Sequence, residues 1–229
     1  MTLTKPAESR GLFVSFEGGD GAGKSTQLRR LAEALRSEGR DVVVTREPGG
    51  APGAEEIRRL VLEGEGGRWS PVSELLLFNA ARRDHVERTI LPALARGAVV
   101  LCDRFADSTR VYQGAAREAA GQAGGDDALP APDLAMADAL HALVIGIEPD
   151  LTLIFDLDPA VGLTRGVARG GEELRFERLG LDFHRQVRDR FRALAARFPD
   201  RCRLIDAAGA PDAVFARVRA ALAERLARA

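Results

Sequence analysis

A glycine-rich stretch near the start of the chain constrains its fold more than any other feature. Residues 18–25, Gly-Gly-Asp-Gly-Ala-Gly-Lys-Ser, fit the pattern G-x-x-x-x-G-K-[ST]. The apolar residues 12–16 ahead of it indicate a short buried strand, and the apolar spacing in residues 24–36 indicates an amphipathic helix. Strand, glycine loop and helix in this order form a phosphate cradle, because backbone N–H groups and the positive helix end converge on an anion. An ordinary glycine-rich turn, the alternative, would not need this context.

The motif assigns roles to individual residues of the loop. Lys24 is expected to reach the β- and γ-phosphates of ATP, and the hydroxyl of Ser25 to ligate Mg²⁺. The chain has only two lysines, Lys5 and Lys24, so the choice of Lys over Arg here indicates a need for a compact ammonium group. The other residues expected to line the ATP site are Gly18, Gly19, Asp20, Gly21, Ala22, Gly23 and Thr26.

Composition and charge narrow the class of protein. The 229 residues are enough for one α/β domain or two small ones, and the 45% hydrophobic content fits an ordinary packed core. The 33 Lys and Arg residues nearly balance the 34 Asp and Glu residues, so no basic field favours nucleic acid. No long apolar run predicts a membrane span, and residues 1–10 lack the apolar segment of a signal peptide. A cytoplasmic location is therefore expected.

The few cysteines and histidines do not suggest a metal centre of their own. Cys102 and Cys202 each lie in an apolar segment and are expected to be buried thiols in a reducing compartment. The histidines, which share no metal-binding spacing, are expected to be structural or surface residues: His85, His141 and His184.

Alternating strand and helix patterns predict a parallel sheet with helices on both faces. Four more strands are predicted at residues 41–45, 98–102, 151–155 and 203–206. Further helices are predicted at residues 55–62, 71–96 (with a bend before Pro92), 133–145, from Asp158-Pro159 onward, 181–198 and 211–228. Residues 1–10 are expected to form a disordered tail, and residues 11–229 a single domain with a flexible loop at about 118–130.

Charged residues follow two of the predicted strands. Arg46 and Glu47 follow the second strand and enter a turn that contains Pro and two Gly, while Asp103 and Arg104 follow the third strand. Ligands of such sheets bind beyond the carboxyl ends of the strands, so these residues are expected beside the phosphate loop. Asp103 is then a candidate for holding Mg²⁺ or its waters. For Arg46 and Glu47, solvated turn charges remain the alternative.

Two helical segments carry side chains that suit a nucleotide. Phe78 and Arg82 are four residues apart on one helix face, where a ring stacks on a nucleobase and a guanidinium bonds to it. A simple core position remains the alternative for Phe78. Residues 107–113 offer polar groups at helical spacing, although Asp107 or Ser108 could be only a helix cap.

Arginines also surround a glycine-containing segment late in the chain. Arg165 and Arg169 are four residues apart, and the segment continues through Gly170 and Gly171 to further arginines up to residue 178. Arginines in a mobile segment fit a lid that closes over phosphates. A solvated charged connection is the alternative.

The order of these motifs resembles that of bacterial thymidylate kinases, in the nucleoside monophosphate kinase group, over nearly the whole chain. The phosphate loop alone indicates only a P-loop NTPase, whereas residues 45–50, Thr-Arg-Glu-Pro-Gly-Gly, are far more specific. The resemblance implies a P-loop three-layer α/β sandwich: a five-stranded parallel sheet of order 2-3-1-4-5, helices on both faces, and a short lid at about 165–180. It also implies phosphorylation of dTMP to dTDP by ATP with Mg²⁺, and a homodimer.

The resemblance further implies which residues hold dTMP. Arg46 and Arg104 would bind its phosphate, and Asp20 would lie near the sugar 3′-hydroxyl. Tyr112 would lie under the sugar, where a 2′-hydroxyl would be crowded. The residues that would line the base pocket are Phe78, which stacks on thymine, Arg82, which bonds its O4, Ser108, Thr109 and Gln113.

The resemblance also implies the source of a catalytic arginine, because the phosphate loop has Gly21 where some relatives have Arg. Some members of the family, including the human type, carry Arg at the position of Gly21, and the bacterial type takes its catalytic Arg from the lid. Arg169 is the best match for that residue, with Arg165 in support at the ATP site. The chain departs from the family after Gly114, where Ala115-Ala116-Arg117 replaces a glycine-rich continuation.

Three other functions stay open from the sequence. These are a kinase for another nucleoside monophosphate, an ATP-binding switch without an acceptor site, and a nucleic-acid-associated ATPase. Two acceptor-side arginines argue against the switch, and the neutral net charge argues against the last. The turn makes a cis Glu47–Pro48 bond plausible without establishing it.

Overall fold

A five-stranded parallel sheet is the centre of the molecule, in a computed structural model that describes residues 11–63, 68–112, 133–167 and 180–227. Its strand order is β2-β3-β1-β4-β5, which confirms the predicted fold class and order. The strands are β1 (Phe13–Gly18), β2 (Val42–Arg46), β3 (Val99–Asp103), β4 (Leu151–Asp156) and β5 (Cys202–Asp206).

The first four strands run beyond their predicted carboxyl ends. The apolar pattern stops where charged residues begin, but backbone pairing continues through them: Arg46 pairs with Asp103, and Gly18 pairs with Phe155. Glu17, Arg46 and Asp103 are therefore strand residues, and they lie at the carboxyl ends of three neighbouring strands.

Helices cover both faces of the sheet. One of them, α5, is described over residues 106–112. The helices are α1 (Lys24–Ser37), α2 (Pro52–Leu62), α3 (Pro71–His85), α4 (Leu91–Ala95), α5, α6 (Leu134–Leu140), α7 (Pro159–Val167), α8 (Gly180–Arg197) and α9 (Pro211–Ala227). π-helical segments, Val86–Ile90 and His141–Ile145, follow α3 and α6, and the first lies directly ahead of Pro92. No described helix is both long enough and apolar enough to cross a membrane.

Alternating side chains of the strands enter separate apolar clusters on the two faces of the sheet. Phe13 and Val14 are both fully buried but belong to different apolar clusters, because successive strand residues point to opposite faces. One cluster packs against α1 and α9, and the other against the residues around Ile90 and Leu94. Burial on both faces explains why the strands read as continuous apolar runs. The two cysteines are buried and free, as predicted.

A buried group of charges joins α5 to the sheet. The Asp107 carboxylate is 1% exposed and accepts hydrogen bonds from Arg110 at 2.9 Å, Arg201 at 2.5 Å and Thr152 at 3.2 Å. Arg110 also pairs with Glu148 at 2.6 Å. Asp107 is thus a tertiary ion-pair residue rather than only a helix cap.

The tail at 1–10, the loop at about 118–130 and most of the expected lid lie outside the described residues.

Candidate active site

The phosphate loop connects β1 to α1 and holds its lysine in place. Lys24 is the first residue of α1, and its Nζ donates hydrogen bonds to the carbonyl oxygens of Gly18 at 3.1 Å and Gly19 at 2.8 Å. Burial, and secondarily the Arg104 charge, lower the pKa of Lys24 to about 8. The ammonium group is therefore buried at the helix N-terminus, where an anion is stabilised.

The two candidate metal ligands lie next to each other. The Ser25 hydroxyl donates a hydrogen bond to Oδ2 of Asp103 at 2.5 Å, because β3 pairs with β1 and brings its last residue beside the loop. A hydroxyl and a carboxylate oxygen are hard donors of the kind that Mg²⁺ prefers. Among the described residues, no group of three or more His, Cys, Asp or Glu side chains could hold a metal ion.

A cleft of about 810 Å³ opens beside the loop and extends to the turn after β2. Arg46 is 56% exposed at this cleft and pairs with Glu55 at 3.2 Å. The Gly50 N–H also donates to Glu55, at 2.8 Å. Charges of both signs line the cleft: Asp20, Lys24, Arg29, Arg46, Glu47, Glu55, Arg58, Asp103 and Arg104. Its size suits a small ligand, and its cations suit an anionic one.

Arg104 reaches the same loop from the end of β3. Its Nη2 donates to Asp20 at 2.5 Å, its Nη1 donates to Ser108 at 3.0 Å, and its guanidinium lies 5.2 Å from the centre of the Tyr112 ring. Burial alone would raise the pKa of Asp20, but the charges of Arg104 and Lys24 hold it below its ordinary value. Three predicted site residues, Asp20, Ser108 and Tyr112, therefore all contact a fourth, Arg104.

A second group of contacts surrounds Arg82. Arg82 is 3% exposed; its Nε donates to Glu47 at 2.6 Å and its Nη2 donates to Thr109 at 2.9 Å. His85 Nδ1 lies 3.0 Å from Glu47, and His85 Nε2 lies 2.7 Å from the hydroxyl of Thr45. The Glu47–Pro48 bond is cis. This buried network connects the turn after β2 with α3 and α5.

Phe78 lies one helical turn before Arg82 on α3 and is half-buried, and Thr26 is exposed at the start of α1. Arg165 lies on an exposed part of α7. Gln113 and Arg169 lie outside the described residues.

Helix α7 packs directly against the phosphate loop. A Cβ atom on Gly21 would lie 1.9 Å from the carbonyl oxygen of Gly162, and a Cβ atom on Gly162 would lie 2.6 Å from that of Asp20. Gly21 also has a φ of 74°, in the left-handed region. A side chain at position 21, such as the Arg of other family members, therefore conflicts with this position of α7.

Sequence reasoning assigned no role to three charged or polar residues of the site. Glu17 is fully buried in β1, although a carboxylate within an apolar strand is itself a signal that a partner exists. Glu47 was expected beside the phosphate loop, but without a named partner. His85 was expected to be either a structural or a surface residue. It is structural, since it is fully buried between Glu47 and Thr45.

Comparisons with known proteins agree on one family. A family model described as thymidylate kinase matches residues 16–218. A thymidylate kinase of Jannaschia sp. (strain CCS1) is 54% identical over 95% of this chain and 99% of its own length, and one of Ruegeria pomeroyi is 57% identical over 91% and 92%. The crystal structure of thymidylate kinase from Ehrlichia chaffeensis, 36% identical, matches with a TM-score of 0.68 and covers 93% of this chain and 99% of that one. The chain therefore belongs to the thymidylate kinase family.

Proposed function

We propose that the chain transfers the γ-phosphoryl group of ATP to dTMP, giving ADP and dTDP, in the cleft between the phosphate loop and the turn after β2. Membership of the thymidylate kinase family supports this reaction. The observation that carries the assignment to this cleft is the position of Arg46 and Arg104, which line it together with Lys24. The cleft thus offers cations to both a phosphate acceptor and a phosphate donor.

The donor side consists of the phosphate loop and its neighbours. Lys24 would bind the β- and γ-phosphates, and the loop N–H groups would bind the remaining phosphate oxygens. Ser25 and Asp103, 2.5 Å apart, would hold Mg²⁺ directly or through waters. Mg²⁺ bound with ATP neutralises charge on the transferring group.

The acceptor side consists of the two strand-end arginines. A guanidinium binds a phosphate by charge-assisted and often bidentate hydrogen bonds, so Arg46 and Arg104 together fix the acceptor phosphate in line with the donor. A phosphate monoester is largely ionised at neutral pH, because its second pKa is about 6. The reaction therefore needs alignment and charge neutralisation more than a strong general base. Asp20, held by Arg104, would accept a hydrogen bond from the sugar 3′-hydroxyl.

Base recognition is assigned to the second group of contacts. Arg82 is held by Glu47 and Thr109, so its remaining N–H groups would donate to O4 of thymine. Phe78, half-buried one turn earlier, would stack on the base. Tyr112 would exclude a 2′-hydroxyl, and the rest of the pocket is assigned to Ser108 and Gln113.

The transition-state cation is assigned to an arginine that follows α7. Arg169 would neutralise charge on the transferring phosphoryl group, with Arg165 in support at the ATP site. The packing of Gly162 against Gly21 supports this assignment, because it brings α7, the helix before Arg169 in the chain, to the loop and leaves no room for Arg at position 21.

The proposal also covers the location and the oligomeric state of the enzyme. We infer a cytoplasmic homodimer of single-domain chains. Apolar side chains on adjoining helical elements support an interface: Leu60 on α2, Leu76 on α3 and Leu143 after α6 are 38%, 49% and 82% exposed. Light scattering after size exclusion tests the dimer.

Acceptor-dependent ADP release tests the function. The assay supplies ATP, Mg²⁺ and, one at a time, dTMP, dUMP, UMP, AMP and CMP. We expect turnover strongly selective for dTMP. Turnover with a different monophosphate would overturn the base-pocket assignment, and the absence of acceptor-dependent turnover would overturn the kinase assignment.

A variant pair tests the acceptor arginine. Arg104→Lys keeps the charge but removes the bidentate fork, so the KM for dTMP should rise by about 10- to 100-fold, the worth of a charged hydrogen bond, while the KM for ATP stays near its original value. The control is Arg96→Lys, because Arg96 is a half-exposed arginine that pairs with Asp41 away from the cleft. Equal effects of the two substitutions would contradict the assignment.

A further inference from the structure

Glu17 is a fully buried carboxylate for which the proposed reaction has no direct use. It lies in β1, one residue before the phosphate loop, and is 0% exposed. Burying a carboxylate is costly unless hydrogen bonds compensate for lost water, and an apolar side chain of similar size would fill the space at lower cost. Both carboxylate oxygens do have donors: the N–H of Phe105 at 2.7 Å and the hydroxyl of Ser108 at 2.6 Å.

One of these two donors supports the backbone of Arg104, and the other supports its side chain. Phe105 is the next residue in the chain, so its N–H fixes the backbone immediately after Arg104. Ser108 accepts a hydrogen bond from Nη1 of Arg104 at 3.0 Å. Because Ser108 donates its only hydroxyl proton to Glu17, its lone pairs face the guanidinium. Glu17 therefore acts on both the backbone and the side-chain direction of Arg104.

The backbone of Arg104 needs such support. Arg104 has a φ of 70°, the only positive φ of a non-glycine residue among those the structure describes. A bulky residue stays in this region only when its surroundings hold it there. The turn that follows β3 is held to β1 at two successive backbone N–H groups. The Arg104 N–H donates to the carbonyl oxygen of Phe16 at 3.0 Å, and the Phe105 N–H donates to Glu17.

We propose that Glu17 is a positioning residue for the acceptor phosphate: its ionised carboxylate holds the turn and the Ser108 hydroxyl that aim Arg104 into the cleft. This inference rests on the proposed role of Arg104 and deepens it. Glu17 contacts no substrate in this scheme and acts only through Arg104.

The electrostatic surroundings make this support dependent on pH. Burial, and secondarily the charge of Asp107, raise the pKa of Glu17 to about 7, while the Ser108 hydrogen bond and Arg104 oppose the rise. The other titratable groups near Glu17 are Lys24 on α1, Cys102 on β3, Tyr112 on α5 and Cys202 on β5. Protonation of Glu17 places a hydrogen on one oxygen and removes the charge that orders Ser108, so the hold on Arg104 weakens as the pH falls through about 7.

Steady-state kinetics of Glu17→Gln between pH 6 and pH 8.5 test the proposal. At pH 8, the KM for dTMP should rise about tenfold or more, and the KM for ATP should stay within about twofold. In the original enzyme, kcat/KM for dTMP should fall towards acid pH more steeply than in Glu17→Gln, which lacks the titration of Glu17 but keeps those of the dTMP phosphate and Lys24. Equal profiles, or equal rises in both KM values, would overturn the proposal.

Ser108→Ala gives an independent test that leaves Glu17 in place. It removes the side-chain half of the support, so it should raise the KM for dTMP, and the double variant should be less impaired than the two single effects combined. A double variant with fully additive effects would overturn the link through Ser108. If Glu17→Gln does not fold, the pH profile of Ser108→Ala decides, because an unchanged profile contradicts the link. Failure of the original enzyme to use dTMP would instead refute the proposed function.

Discussion

Replacement of Gly21 by Ala should destabilise the protein because the phosphate loop has no room for a methyl group there. The added Cβ would lie 1.9 Å from the carbonyl oxygen of Gly162, while contacts under 3.0 Å force an atom to shift. Both contacting groups are backbone, so the loop or α7 must move by about 1 Å to reach that limit. The φ of 74° at Gly21 adds a conformational cost for any residue with a Cβ atom.

The two costs give an expected size. The left-handed backbone costs about 1–2 kcal/mol for a non-glycine residue, and overpacking costs about 1–3 kcal/mol, so the free energy of unfolding should fall by about 2–5 kcal/mol. For a chain of this size, each kcal/mol lowers the Tm by about 2–4 °C, which gives a decrease of about 4–20 °C.

Thermal unfolding monitored by calorimetry measures this change, and the same loop supplies the control. A Cβ atom on Gly19 would meet nothing within 4 Å, and Gly19 does not have a left-handed φ. Gly19→Ala should therefore shift the Tm by no more than about 2 °C, since substitutions without such conflicts stay within about 0.5 kcal/mol. Two variants that melt at the same temperature would refute the rigid contact between the loop and α7.

Two further predictions concern buried acids. The pKa of Glu17 is raised from 4.5 to about 7 in the folded protein, so its proton stabilises the fold below pH 4.5 and this stabilisation is lost as the pH rises through about 7. Relative to Glu17→Gln, the free energy of unfolding from denaturant titrations should fall by about 2–3 kcal/mol between pH 5 and pH 8, and a constant difference would contradict the raised pKa. Asp107→Asn removes the charged partner that Arg110 and Arg201 share in the buried cluster and should cost about 3–5 kcal/mol in the same titrations. By contrast, Asp182→Asn, at a carboxylate 89% exposed in its pair with Arg185, should cost less than about 1 kcal/mol. Equal losses from the two Asn variants would show that the Asp107 cluster is not a stabilising ion-pair network.

The sequence was sufficient for the fold because each element of the sheet carries a local signal. Apolar runs mark the strands, and the order of strands follows from a resemblance that spans the chain. The strand ends were less accurate, since Glu17, Arg46 and Asp103 continue the backbone pairing but break the apolar pattern.

Some residues of the candidate site belong to a contiguous motif, whereas others meet only in the folded structure. The phosphate loop is contiguous, so its pattern alone identifies Lys24 and Ser25. The contacts of Glu47 with Arg82 and His85 join residues 35 and 38 positions apart, and no spacing rule reports such a pairing. Ion pairs of this kind appear only when the turn after β2 packs against α3. The roles of all the site residues stay predictions, and Arg169 and Gln113 also lie outside the described residues.

The carboxylates that already accompany the acceptor-side arginines have a consequence for turnover. Arg46 has Glu55 and Arg104 has Asp20 as partners at 3.2 Å and 2.5 Å. In the proposed binding mode, an incoming phosphate would exchange one anion for another, and its net binding free energy would be the difference between two favourable interactions. The same carboxylates would compete for the guanidinium groups when dTDP leaves. Affinity for the acceptor would thereby be moderated and dissociation of the product accelerated, which would favour repeated cycles over tight retention.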